Sequence, residues 1–85
     1  MNTTILDKML KMVERASDKV GYDIDNNKDY IALCQLVTDV QVNEKVPTFE
    51  EKKWTGEVLE MFFDALGLNY GRTLFQLVDE AYGVK

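Results

Sequence analysis

The sequence contains no histidine, one cysteine, one serine and one proline among 85 residues. Each scarcity excludes something. Without histidine there is no side chain that ordinarily titrates near neutrality, and no imidazole to activate a nucleophile or bind zinc. Ser17 therefore lacks the usual base, and a zinc site would have to use carboxylates alone, which is unusual. A single cysteine, Cys34, cannot form a disulfide within the chain, which suits a reducing compartment. Long apolar runs are also missing. The stretch from Tyr30 to Thr38 is nine uncharged residues, well short of the roughly 20 needed to span a bilayer. Asp7 and Lys8 interrupt the place where a signal peptide would carry its apolar segment. The expectation is a cytoplasmic protein with no membrane insertion.

Cations are few as well. Ten basic against fifteen acidic residues give a net charge of −5. That balance argues against direct nucleic-acid binding, which depends on neutralising phosphates, and against anionic membrane surfaces. What is present is apolar: 46% of residues are hydrophobic and 11% aromatic, enough for a core and too much for a disordered chain. The length suits one domain, residues 1–85.

The periodicity predicts an all-α fold, a compact bundle of about four short helices. The first runs from about Ile5 to Val20, with Thr4 as N-cap and Gly21 as its left-handed terminator. Ile5, Met9, Met12, Val13, Ala16 and Val20 share a face, which Leu6 and Leu10 extend. Asn26 or Asn27 caps a second helix from about Lys28 to Val40, after which Val40-Gln41-Val42 alternates as an extended piece would. The apolar arc of this helix covers roughly 220°, which places it at the centre of the bundle. Thr48 and Glu51 form a capping box after Pro47 and open a third helix that ends at Gly67. Its apolar arc covers roughly 200°. Asn69 caps a fourth helix, about Tyr70 to Tyr82, closed by Gly83.

Three patterns invite a chemical reading. Asp23, Asp25, Asn27 and Asp29 fall at the first, third, fifth and seventh positions of an EF-hand loop, but Lys28 replaces the glycine of the sharp turn and Cys34 the closing glutamate. The loop is better read as a polar turn with a helix cap, and no metal or other cofactor is expected. Cys34 lies on an apolar face and reads as a small core residue. Glu57 and Glu60 share a helix face, but a solvated polar face explains them without acid–base work. No catalytic residue is assigned, and the chain is not expected to be an enzyme.

The charge pattern is more specific. Lys8, Lys11, Arg15 and Lys19 lie within about 80° on the first helix. Glu57, Glu60 and Asp64 lie within about 60° on the third. Beside the acids stand Met61, Phe62 and Phe63, the last two about 100° apart, so that both need cover. These residues, with Lys8, Lys11 and Arg15, form the candidate partner interface, since aromatics and Met are enriched at interfaces. The expectation is a non-catalytic protein-binding regulator or inhibitor acting through helix faces, with self-association through helices two and three. Small acidic regulators of phages and mobile elements share this appearance, an association that does not fix function. Two alternatives belong to other classes: a small-ligand pocket lined by Trp54, Tyr22, Tyr30 and Tyr70, and an acidic mimic of nucleic acid that blocks a DNA-binding protein.

Overall fold

The computed structural model describes residues 4–69 and 74–83. Among the described residues, four α-helices follow one another: α1 Thr4–Val20, α2 Lys28–Val42, α3 Phe49–Leu66 and α4 Leu74–Tyr82. A short 3-10 turn, Ile24–Asn26, precedes α2. No strand occurs among the described residues, so the all-α expectation stands.

The helix ends follow local chemistry. The Thr48 hydroxyl accepts from the Glu51 N–H at 3.1 Å, and Glu51 Oε1 accepts from the Thr48 N–H at 2.9 Å. This is the reciprocal capping box that the sequence announces. Lys45 Nζ holds the other carboxylate oxygen of Glu51 at 2.6 Å. Asn27 caps α2, its side-chain oxygen accepting from the Tyr30 N–H at 3.1 Å. At the C-termini of α1 and α3, Gly21 and Gly67 take positive φ of 74° and 67°. The next residue then bonds back five positions, Tyr22 N–H to Ser17 O at 2.9 Å and Leu68 N–H to Phe63 O at 2.8 Å. Thr4, the expected cap of the first helix, is its first described residue. The start proposed for the fourth helix falls on residues 70–73, outside those described.

Two expectations change. The segment Val40-Gln41-Val42 is not extended; α2 continues through Val42, and Asn43 N–H closes it on Asp39 O at 3.0 Å. The central helix is α3 rather than α2, because α3 packs against α1, α2 and α4. The wide arc of α2 includes Ile31, which is 53% exposed, so part of that arc faces solvent. On α3, by contrast, Val58, Leu59, Phe62 and Phe63 are all buried, each side of the arc meeting a different neighbour.

The core joins Leu6, Met9 and Val13 of α1, Leu33 of α2, Leu59 of α3 and Leu77 and Val78 of α4, all essentially inaccessible. Tyr30 meets Phe62 edge to face, ring centroids 6.2 Å apart at 80°, the geometry that aligns a positive ring edge with a negative ring face. Its hydroxyl donates to the Glu14 carboxylate and Gln41 Nε2 donates to Asp7 at 2.9 Å, so α1 and α2 run antiparallel. Between α3 and α4, the Phe75 ring lies over Gly56, where an added Cβ would come within 2.5 Å of it. A helix-interior glycine costs roughly 1 kcal/mol relative to alanine, and here it makes room for that ring.

Two stability predictions arise directly. Replacing Thr48 by alanine removes one partner of the capping box and is expected to cost about 0.5–2 kcal/mol. A urea midpoint equal to wild type would show that the cap contributes nothing. The Ser17 hydroxyl is fully buried and has no hydrogen-bond partner. A buried unpaired hydroxyl carries its desolvation cost uncompensated, and alanine is the better helix former. Ser17→Ala is therefore expected to stabilise by about 1 kcal/mol. A fall in melting temperature would mean that the hydroxyl is satisfied after all.

Candidate binding surface

Exposed apolar side chains from separate elements meet at the end of the bundle where α1 and α3 finish. Val20 ends α1, Tyr22 follows in the loop, and Met61, Ala65 and Leu66 belong to the last turns of α3. With Asn27 and the edge of Phe62 they line an open groove of about 400 Å³. Val20 is 68% exposed and Met61 47%, so water covers apolar surface here that a one-chain core would hide. Tyr22 is fixed at the groove by its hydroxyl, which accepts from Asn27 Nδ2 at 2.8 Å. The same Asn27 caps α2, so the tyrosine is tied to a helix start rather than to a free loop.

The acidic stripe borders this groove. Glu57 and Asp64 stand four residues before and three after Met61, hence on adjoining positions of the same helix surface. Glu60 lies one step farther toward solvent, and all three are exposed. Glu57–Glu60 and Glu60–Asp64 are like-charge pairs at i, i+3 and i, i+4, each costing a few tenths of a kcal/mol in an isolated helix. The single ion pair among the described residues is Lys45–Glu51, so none of these carboxylates is neutralised there. The basic stripe does not meet it. Lys8, Lys11, Arg15 and Lys19 all lie exposed on α1, opposite the face formed by Leu6, Met9, Leu10 and Val13, and point out of the bundle.

The candidate interface is thus divided. Met61 lines the groove, and Glu57 and Asp64 adjoin it on the exposed surface of α3, with Glu60 farther toward solvent. Phe62 and Phe63, 4% and 3% exposed, belong to the core of the single chain, and of the two only Phe62 shows an edge to the groove. Their 100° separation is accommodated because α3 is flanked on both sides. Lys8, Lys11 and Arg15 occupy a different face. Val20 is a residue that sequence reasoning missed, and Tyr22 stands there only in the alternative small-ligand pocket. The spacing of Val20 places it on the apolar face of the first helix, and nothing local reveals that the helix end overhangs its neighbour.

Among the described residues, the other features singled out by the sequence lie apart from one another. Tyr22 borders the groove, Tyr30 sits in the core and Trp54 lines a shallow recess with Ala32, Leu36 and Thr48, so these aromatics do not share one pocket. Tyr70 lies outside the described residues. Cys34 lines an open recess with Asp25, Tyr30 and Thr38. Burial pushes its thiol pKa upward, partly offset by the Tyr30 hydroxyl, and the nearby carboxylates of Glu14 and Asp25 add to the rise. The thiol is therefore held protonated at neutral pH, the opposite of an activated nucleophile. Phe49 and Phe75 form a further groove with Lys52, Lys53 and Asp79 across α3 and α4, of mixed charge. No helix among the described residues is long and apolar enough to cross a membrane. Comparison of the chain with protein-family models, curated proteins and solved structures finds no match.

Proposed function

We propose that this domain is a non-catalytic regulator that binds another protein through the groove formed by Val20, Tyr22, Met61, Ala65 and Leu66. The observation that carries this reading is the convergence of exposed apolar side chains from two helix ends and a tethered loop on one concave surface. Scattered exposed apolar residues need no explanation, whereas a contiguous concave patch with a polar rim is the form that interfaces take. The chemistry supports binding over catalysis. The sequence has no histidine, Cys34 is held as a thiol, and Ser17 is sealed in the core.

A heterologous partner fits better than a second copy. Self-association would have to use the wide apolar arcs of α2 and α3, and most of that surface is covered within one chain. Two copies meeting groove to groove would also bring their Glu57–Asp64 stripes together, and like charges across an interface are penalised.

A photo-crosslinking residue at position 61, with a second at Thr38 on exposed α2 surface as the control, tests the proposal in cells that produce the protein. An adduct with a different protein is expected from position 61 and not from position 38. Adducts of position 61 only with another copy of the chain, or equal labelling from both positions, would overturn it.

A further inference from the structure

We infer that the occupant of this groove is a basic amphipathic helix, one that sets apolar side chains on Met61 and Ala65 and aligns Lys or Arg residues with Glu57, Glu60 and Asp64. The inference rests on the binding role proposed above and names the partner's chemistry. It begins from the sign of the field. Three exposed carboxylates without a described counter-ion lie on the α3 surface beside Met61, which lines the groove. The groove also lies where α1 and α3 both end, each with the negative end of its macrodipole, and where α2 begins at Asn27, whose positive end offsets one of the two. Lys19 offsets part of this at the last turn of α1, but the last turn of α3 holds no basic residue. Nucleic acid and anionic lipid are repelled by such a surface, so an apolar occupant must bring positive charge.

The spacing then selects a helix. Glu57 to Asp64 spans seven residues, about 10 Å along the α3 axis. A partner helix laid alongside repeats that distance over two turns, so cations at i, i+3 or i+4, and i+7 face the three carboxylates together. Its neighbouring face, offset by a similar angle to that between Met61 and the acids, carries the apolar anchors. Helix-in-groove recognition reads such i, i+4, i+7 anchors. The groove is open rather than enclosed and is continuous with the exposed surface of α3, which leaves room for a rod and gives a compact small molecule little to bury against. The like-charge pairs of α3, which Lys53 four residues before Glu57 offsets at one end only, are relieved when those cations arrive, which makes binding salt-dependent.

Two labelled peptides serve as probes: an amphipathic helix of leucine and lysine with the spacing above, and its leucine–glutamate counterpart. Anisotropy titrations against the intact chain are expected to show at least tenfold tighter binding of the lysine peptide, weakening as salt rises. Amide resonances of Tyr22, Met61 and Ala65 should shift with it. The triple variant E57Q/E60Q/D64N is expected to lose at least tenfold in affinity. E44Q/E50Q/D79N, which removes the same charge elsewhere on the exposed surface, should bind within about twofold of wild type. Equal losses in the two triple variants would reduce the effect to net charge and overturn the inference. Preferential binding of the glutamate peptide with the same resonance shifts would overturn the partner class and leave the groove as a binding site. If neither peptide shifts those resonances, both proposals fall.

Discussion

Leu59→Ala is expected to cost about 2–5 kcal/mol, the range for deleting a buried leucine side chain that its surroundings cannot collapse to fill. Leu59 is fully buried on α3, the helix that packs against the other three. Any contraction that filled the cavity from one side would open space on another. The loss is therefore expected toward the upper part of the range. Small domains have total stabilities of about 5–15 kcal/mol, so this variant approaches the limit of folding. For a domain of this length each kcal/mol lowers the melting temperature by about 4–8 °C. Thermal denaturation followed by circular dichroism measures the difference. A drop of less than about 5 °C would mean that α3 is not the centre of the core, and the arrangement around it would need revision. Met61→Ala is the matched control. It shortens a half-exposed side chain on the same helix and is expected to change stability by no more than about 0.5 kcal/mol.

Much of the fold was legible because the cues are local. Thr48 and Glu51, three residues apart, settle a helix start whatever surrounds them, and Gly21, Gly67 and Gly83 adopt the positive φ that closes a helix. What escaped depends on which helices meet. The arcs on α2 and α3 look alike in sequence, yet Ile31 is exposed while Phe62 and Phe63 are buried. Periodicity measures how much apolar surface a helix presents and not how many neighbours cover it. The site was half legible for the same reason. Met61 and the acids flanking it are one helical surface, so their association follows from spacing. Val20 and Tyr22 join them across about forty residues of chain, through the relative slide of α1 and α3, which no local pattern encodes.

Alkaline pH is expected to unfold the protein, with Tyr30 as the principal sensor. Burial is the largest cause holding the Tyr30 phenol far above its ordinary value; its hydrogen bonds to Glu14 and Cys34 and their negative charges act in the same direction. Tyr82 is raised as well, chiefly by burial and partly offset by its hydrogen bond to Thr55, whose hydroxyl lies 3.3 Å away. In both cases the folded-state pKa lies above the unfolded value of about 10. The stability these phenols contribute is then fully present below pH about 10 and is lost as pH rises beyond it, because the unfolded chain releases protons that the folded chain retains. A proton held only by the folded state lowers stability by at most about 1.4 kcal/mol per pH unit. The Tyr30 hydroxyl reaches the exposed Glu14 carboxylate, where water screens the pair, and this narrows the pH range over which that slope applies. Tyr30→Phe separates the contributions. At pH 7 it removes a hydrogen bond to a charged acceptor and should cost about 1.5–3 kcal/mol, less any screening at Glu14. Above pH about 10 it removes the titration as well, so its stability should decline less steeply with pH than that of wild type. Urea midpoints measured from pH 7 to 11.5 decide the matter. Parallel declines for the two proteins would place the alkaline sensitivity elsewhere, and Tyr82→Phe and Cys34→Ala, which remove the other two raised groups, would then be the variants to compare.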